Sequence, residues 1–342
     1  MRVGIVGVGS MGSIHAAGWA ETPAKIAGFL HRTEAGARPL ADQYGGQVYA
    51  DLDALLADVD VVDICTPTHL HHEMVLKAAE AGRHVICEKP IARTVEQGQE
   101  MIAACKAAGV RLLVAHVVRS FPEYALAKAA VDRGEIGQPA VIRLARESSG
   151  PRKAVNNWFL DLVKSGGVIL DLMIHDFDYA RWVAGEVQTV YAKSIWNTQA
   201  TAESPADPVR DHGLAILTHR NGALSHVAGS WALPPPEFHT RFEIAGTEGL
   251  IQYDSESTKP IHLYFHKEEA EEAPAVPRPS SPLSESPYTT EIKAFYEALV
   301  HDAPVPVSAE DGLAALQIAL AALESARTGV AVHLEPLPEV PS

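Results

Sequence analysis

Through the first 118 residues, short apolar runs alternate with stretches that carry apolar residues at helical spacing. The runs are Val3–Val6, Ile26–Leu30, Val59–Cys65, Val85–Cys87 and Leu112–Val114. Between several of them lie Ala-rich stretches, such as Glu73 to Ala81 and Val95 to Ala108. Strands that alternate with helices predict a parallel sheet wrapped on both faces, because each parallel strand needs a crossover to return. After about residue 140 the rhythm changes. Strand-like segments follow one another at Val141–Arg146, Val187–Ser194, Leu214–Thr218, Leu224–Ser230, Arg241–Ala245, Leu250–Tyr253 and Ile261–Phe265. Asn221-Gly222 stands between two of them and predicts a hairpin, since both residues tolerate positive φ. This half predicts a mainly antiparallel sheet. Residues 268 to 288 are acidic and rich in Pro and Ser, which predicts a surface loop. Ser308 with Asp311 has capping-box spacing, Leu313, Leu316, Leu320 and Leu323 form an apolar stripe, and Gly329 follows as a stop. A helix over 308–328 is expected, packing back near the first domain. The expected organisation is therefore α/β: a doubly wound parallel domain over 1–118, then an α+β domain over 119–342 with an open, mainly antiparallel sheet.

The chain has 342 residues, long enough for two such cores, and a net charge of −15. A nucleic-acid binder needs a basic face to meet phosphates, so that class is disfavoured, and an anionic membrane surface with it. No apolar run reaches membrane-spanning length. The glycine-rich N-terminus lacks a cleavage pattern and reads as mature protein. Cys65, Cys87 and Cys105 are odd in number and widely spaced. They read as small apolar residues in a reducing cytoplasm rather than disulfides.

Gly7-Val8-Gly9-Ser10-Met11-Gly12 fits G-x-G-x-x-G, follows a strand and opens a helix. Its glycines allow a tight turn and close approach to a pyrophosphate, and Ser10 and Met11 start the helix whose free N–H groups would meet it. An acid some twenty residues past the glycines would favour NAD by bonding the ribose 2′-hydroxyl. Here the second strand ends in His31-Arg32-Thr33, and Arg32 and Thr33 suit a 2′-phosphate instead. NADP is therefore expected ahead of NAD.

Residues 85–91 read VICEKPI. Ligands bind at the carboxyl ends of strands in open parallel sheets, and Lys89 sits just past such an end. An ammonium there can stabilise an alkoxide that develops beside a nicotinamide ring. Glu88 is placed to position it, and Pro90 stiffens the turn. Residues 165–178 read SGGVILDLMIHDFD, with Asp171 and His175 spaced i, i+4, so that on a helix they share one face. An imidazole titrates near neutrality and can take a hydroxyl proton as hydride leaves the same carbon.

These stretches, together with Thr66-Pro67-Thr68-His69-Leu70-His71, resemble the Gfo/Idh/MocA oxidoreductases over nearly the whole chain. The resemblance implies a Rossmann domain and a nicotinamide-dependent dehydrogenase or reductase of sugars, polyols or related cyclic alcohols. It implies a homodimer or homotetramer built through the open face of the second sheet. It makes His175 the acid/base, Asp171 the residue that orients substrate and base, and Lys89 the assisting cation. Thr66, Pro67, His71, Glu88 and Lys89 then join the glycine loop and His31, Arg32 and Thr33 as cofactor contacts. The run from Met173 to Asp178 is similar to inositol dehydrogenase-like members and points to cyclic polyols.

For the substrate, Arg146, Arg152, Asn156, Asn157 and Trp158 are candidates, with His116 and Arg119 near the expected domain boundary. Lys89, Asp171 and His175 complete the set. Zinc binding by Asp171, His175, Asp176 and Asp178 is set aside because no Cys or second His at ligand spacing joins them, and by His69, His71 and His72 because their place after a strand, on a turn that should face the nicotinamide, reads as a loop lining the cofactor; no metal is expected. Two other functions compete. One is a non-catalytic dinucleotide sensor of the same fold, which has no need of the Lys–Asp–His set. The other is a reductase of a non-sugar cyclic substrate, which a large apolar pocket would favour.

Overall fold

The computed structural model describes residues 1–148, 158–159, 161–195, 212–233, 237–256, 261–265 and 285–337. The chain forms two compact units, one of residues 1–120, 285–316 and 337–342 and the other of residues 121–284 and 317–336.

The first unit opens with β1 (Arg2–Val6), α1 (Ser10–Ala20), β2 (Lys25–Leu30), α2 (Glu34–Tyr44), β3 (Gln47–Val48) and α3 (Leu52–Leu56). It continues with β4 (Val61–Ile64), α4 (His71–Glu80), β5 (His84–Glu88), α5 (Val95–Ala107) and β6 (Leu112–Ala115). The six strands run in the order β3-β2-β1-β4-β5-β6, and every pairing is parallel. All four β4 residues are buried, as they must be when helices cover both faces. The alternation of apolar runs and Ala-rich stretches thus folds as expected, because each run is buried on both sides.

The second unit holds α6 (Pro122–Asp132), β7 (Pro139–Ser148), α7 (Leu162–Ser165), α8 (Gly167–Asp171) and α9 (Ile174–Ala184). It continues with β8 (Val187–Ile195), β9 (His212–His219), β10 (Leu224–Ser230), β11 (Phe238–Gly246), β12 (Gly249–Asp254) and β13 (Ile261–Phe265). Helices α10 (Pro287–His301) and α11 (Ala309–Thr328) and strand β14 (Val332–His333) end the chain. The second sheet is β13-β12-β11-β7-β10-β9-β8-β14. It is mixed: β7 and β10 pair in parallel and the other pairs are antiparallel. Its strands alternate, with Ala215, Leu217, Val227, Phe242, Ile244 and Ile251 on the buried face.

Of three local expectations, two change and one is met. The turn between β9 and β10 takes positive φ only at Gly222 (φ +91°). Asn221 instead uses its side chain, accepting from Ala223 N (3.1 Å) and donating to Ala184 O (2.9 Å), so the expected hairpin of β9 and β10 forms with a side-chain brace in place of positive φ at both residues. The expected loop over 268–288 lies outside the described residues up to 284, and its last two residues start α10. Ser286 precedes Pro287, and proline at the first helical position is pre-set for the helix. The last helix begins as predicted. Ser308 N donates to Asp311 Oδ2 (3.2 Å) and Asp311 N to Ser308 Oγ (3.0 Å), a reciprocal box.

Candidate active site

The glycine loop joins β1 to α1. Gly7 has φ +91°, and a Cβ there would lie 2.7 Å from Cys65 O. A Cβ on Gly12 would lie 2.0 Å from Gly7 O, whereas one on Gly9 would meet nothing within 4 Å. Gly7 and Gly12 therefore close the turn, and Gly9 leaves the approach open. Gly9 is the N-cap of α1 with no side-chain bond, and the first turn, with Ser10 and Met11, carries no acid. The positive end of the helix is thus offered to an anion, which fits a dinucleotide pyrophosphate.

At the end of β2, Arg32 and Thr33 are exposed and His31 is half-buried. Thr33 Oγ1 accepts from Gly36 N (3.3 Å) and caps α2. The nearest acid, Glu34, pairs with Arg38 one turn along the same helix.

Thr66 and Pro67 follow β4 and are half-buried. His71 is buried, with Nδ1 2.9 Å from Pro90 O and Nε2 2.8 Å from Thr66 O. Burial lowers its pKa although those carbonyls oppose the shift. The ring straps the loop after β4 to the loop after β5. His72 turns to Glu100 (2.7 Å), so the three histidines do not converge. Among the described residues the group with metal-like spacing lies elsewhere: donor atoms of His15, Asp63 and Cys65 fall within 4.8 Å of one another.

Lys89 leaves the carboxyl end of β5 half-buried, joined to Pro90 by a cis peptide. Glu88 is buried and works from beneath: its Oε2 accepts from the backbone N of Lys89 (2.9 Å), and its Oε1 lies 3.2 Å from His15 Nε2. It positions the lysine through the main chain. Arg119 is buried, with Nη1 3.2 Å from both Asp311 Oδ2 and Pro306 O, which ties it to the start of α11. His116 is fully buried.

In the second unit, Asp171 and His175 do not share one helix. Asp171 ends α8 and His175 is the second residue of α9, with Leu172 and Met173 forming the break. The break has a packing cause. A Cβ on Gly213 would lie 2.4 Å from Met173 Sδ, and one on Gly229 would lie 2.3 Å from Met173 Cγ. Gly213 and Gly229 are cross-strand partners on β9 and β10. Met173 fills the gap that these two glycines leave in the sheet face, which pins the chain between the two polar residues. Gly166 and Gly167, at φ +76° and +65°, make the predicted tight entry. Asp171 and His175 are both half-buried.

Trp158 is half-buried and stacks on Phe159 at 4.0 Å between centroids. Arg152, Asn156 and Asn157 lie outside the described residues. Arg146 is 3% exposed and bonds Asp176 through Nε (2.8 Å) and Nη2 (3.1 Å). That fork holds β7 to α9, so neither Arg146 nor Asp176 turns a charge to a ligand.

One group escaped the sequence reading. His15 on α1 bonds Asp63 on β4, and Trp19 Nε1 donates to Asp63 Oδ2 (2.7 Å). The available signal was the lone aspartate inside the apolar run VVDIC, since a buried charge needs a partner.

A glycine turn closed onto a helix N-terminus, at the carboxyl edge of a six-stranded parallel sheet, defines a dinucleotide-binding protein. Comparison with known proteins agrees. The family model described as the oxidoreductase family with an NAD-binding Rossmann fold matches residues 1–116, and the GFO/IDH/MocA C-terminal domain matches residues 124–252. A myo-inositol 2-dehydrogenase of Thermotoga maritima is 30% identical, covering 98% of this chain and 99% of that protein. A levoglucosan dehydrogenase of Pseudarthrobacter phenanthrenivorans is 31% identical over 79% of this chain and 78% of that protein. A solved levoglucosan dehydrogenase in complex with NADH and levoglucosan matches with a TM-score of 0.86 and 28% identity, over 97% of this chain and 99% of that one. The chain belongs to the Gfo/Idh/MocA family of oxidoreductases. None of the described helices is long and apolar enough to cross a membrane.

Proposed function

We propose that the protein transfers a hydride between a nicotinamide cofactor and a secondary hydroxyl or ketone of a sugar or inositol-like cyclic polyol. The observation that carries this reading is the delivery of Lys89 at the carboxyl end of β5, with its backbone held by Glu88, on the sheet edge that also carries the glycine turn. Bound nicotinamide supplies the hydride acceptor or donor. Lys89 steadies charge on the reacting oxygen, His175 takes or returns the hydroxyl proton, and Asp171 orients substrate and base. His116, Arg119, Trp158 and Asn157 are proposed to complete the substrate site, Arg119 by fixing the chain beside it. Thr66, Pro67 and His71 shape the loop over the cofactor. The three cysteines are free thiols, which suits a reducing cytoplasm.

NADP is preferred on the strength of Arg32, exposed where β2 ends, with Glu34 turned to Arg38. The test is nicotinamide absorbance on a panel of inositols, aldoses, uronic acids and anhydrosugars, each with NAD and NADP. Turnover on a polyol or sugar is expected. Tight dinucleotide binding with no turnover across the panel would instead favour a sensor. Arg32→Ala is expected to raise the KM for NADPH several-fold more than that for NADH, and equal effects would remove the 2′-phosphate role.

A homo-oligomer is proposed through the outer face of the second sheet. Tyr191, Leu214 and Ile216 are exposed there on adjacent strands, with Tyr191 directly opposite Ile216. An apolar stripe of this kind is costly in water. Ile216→Glu is expected to shift the protein to monomer in sedimentation, and an unchanged mass would exclude this face.

A further inference from the structure

The buried group under Lys89 has more acids than cations. His15 on α1 is fully buried. Its Nδ1 lies 3.0 Å from both oxygens of Asp63, and its Nε2 lies 3.2 Å from Glu88 Oε1, an ion-pair contact rather than an aligned hydrogen bond. Cys65 Sγ stands 3.3 Å from Nδ1. Glu291, on α10, is 1% exposed, and neither of its carboxyl oxygens has a hydrogen-bond partner. Helix α10 packs on α1 closely enough that a Cβ on Gly18 would lie 3.0 Å from Ile292. The titratable groups that face His15 are therefore Asp63 from β4 and Cys65 just past its end, Glu88 from β5 and Glu291 from α10.

A neutral imidazole has one N–H and one lone pair. Here both ring nitrogens face carboxylates, and a lone pair against a carboxylate oxygen is repulsive. A proton on each nitrogen resolves this and neutralises part of the acid cluster. Burial alone would lower the His15 pKa, but the Asp63 charge and its hydrogen bond, with Cys65 adding, lift it well above the ordinary range. Glu291 goes the other way in charge: burial drives its carboxyl well above the ordinary range, with Glu88 and Asp63 adding to the shift and His15 opposing it. The charged members are then an imidazolium and the two carboxylates it touches, with Glu291 a neutral acid.

We propose that His15 is a positioning residue: a standing imidazolium that clasps Asp63 to Glu88, and through Glu88 fixes the main chain of Lys89. The proposal rests on the role proposed for Lys89. The chain of contacts is short. His15 Nε2 meets one oxygen of Glu88, and the other oxygen of Glu88 holds Lys89 N. Losing the positive ring leaves Glu88 buried beside Asp63 without its counter-charge, so Glu88 must move or take up a proton. Either change alters the acceptor that holds the Lys89 amide. His15 also lies on the helix that starts at the glycine turn, so one side chain ties the cofactor helix to the strand that delivers the lysine.

The direct test is NMR of the ring nitrogens in 15N-histidine-labelled protein, with the His15 signals assigned by their loss in His15→Gln. Both nitrogens are expected to stay protonated through the pH range in which a free imidazole loses its proton. A ring that becomes neutral in that range, or one whose Nδ1 carries a metal in place of a proton, overturns the proposal. The kinetic test is His15→Gln beside Lys89→Met. His15→Gln is expected to lower kcat by about 10- to 100-fold, with dinucleotide Kd and substrate KM within about threefold, because geometry at the reacting atom is lost and binding is kept. If Lys89→Met abolishes turnover and His15→Gln leaves kcat intact, positioning is overturned and the lysine role stands. If Lys89→Met turns over like wild type, the premise fails, and the unchanged His15 spectrum shows which statement was wrong. For Glu291, Gln is the near isostere of a neutral acid and needs no proton uptake on folding, so Glu291→Gln is expected to keep or raise the unfolding midpoint at pH 7. A midpoint lowered as far as in Asp63→Asn would show an ionised Glu291 and overturn the charge count.

Discussion

Lys89, Asp171 and His175 are each half-buried, as groups must be that meet a solute and yet keep a fixed geometry. Lys89→Met keeps the length of the side chain and removes the charge. On the roles proposed for them, it is expected to lower kcat by about 10²- to 10⁴-fold with dinucleotide affinity near normal, and His175→Ala likewise, since each loss would remove charge or proton handling in the transition state. Steady-state kinetics with calorimetric cofactor titration check both, and wild-type turnover in either variant removes that residue from the mechanism. Two other charged candidates are held by their neighbours. Arg119 is bound to Asp311 and Arg146 to Asp176, charges that sequence alone offers equally to ligand or protein. Residue type declares what chemistry a side chain can do. Which neighbour claims it depends on approach in space.

At the scale of elements, the break between α8 and α9 carries the geometry of the second unit's polar pair. On a continuous helix Asp171 and His175 would be stacked one turn apart. Here Met173 enters the gap between Gly213 and Gly229 and the chain bends around it. Gly229→Ala places a methyl 2.3 Å from Met173 Cγ, and that atom is near the backbone, so the plug cannot simply swing aside. A loss of about 1–3 kcal/mol is expected, as for overpacked cores, together with a fall in kcat, because the bend carries both polar residues. Urea denaturation checks the first and kinetics the second. A variant as stable as wild type would show that the helix break does not depend on the plug. By contrast, the start of α11 was legible. Ser308 and Asp311 bond reciprocally, because a capping box needs only residues three apart and no tertiary partner.

At the scale of the molecule, stability couples to pH through the buried cluster of the first unit. The folded His15 pKa is raised, so its contribution is complete below the unfolded value near 6.5 and is lost as pH rises through the folded value. Glu291, also raised, acts in the same sense from about pH 4.5 upward. Buried His71, with its pKa lowered, acts oppositely and loses its contribution as pH falls below about 6.5. Urea midpoints measured from near neutral into alkaline solution are expected to fall, and to fall less in His15→Gln. Parallel curves for the two proteins would show that His15 is not raised.

The chain's pattern by itself determined the two kinds of sheet, the glycine turn, the lysine at a strand end and the final helix with its cap. These are local: alternation, spacing and capping act between residues a few positions apart, and they persist whatever the chain packs against. Only the tertiary structure decided that Glu88 holds Lys89 by its amide, that His71 straps two loops, and that Met173 breaks a helix. It alone showed that His15, Asp63, Glu88 and Glu291, drawn from two helices and two strands, share one buried space. The energy of a buried charge is set by the partners within a few ångströms. Such groups come from residues far apart in the chain, His15 and Glu291 being 276 positions apart, and no spacing in one sequence announces such a meeting.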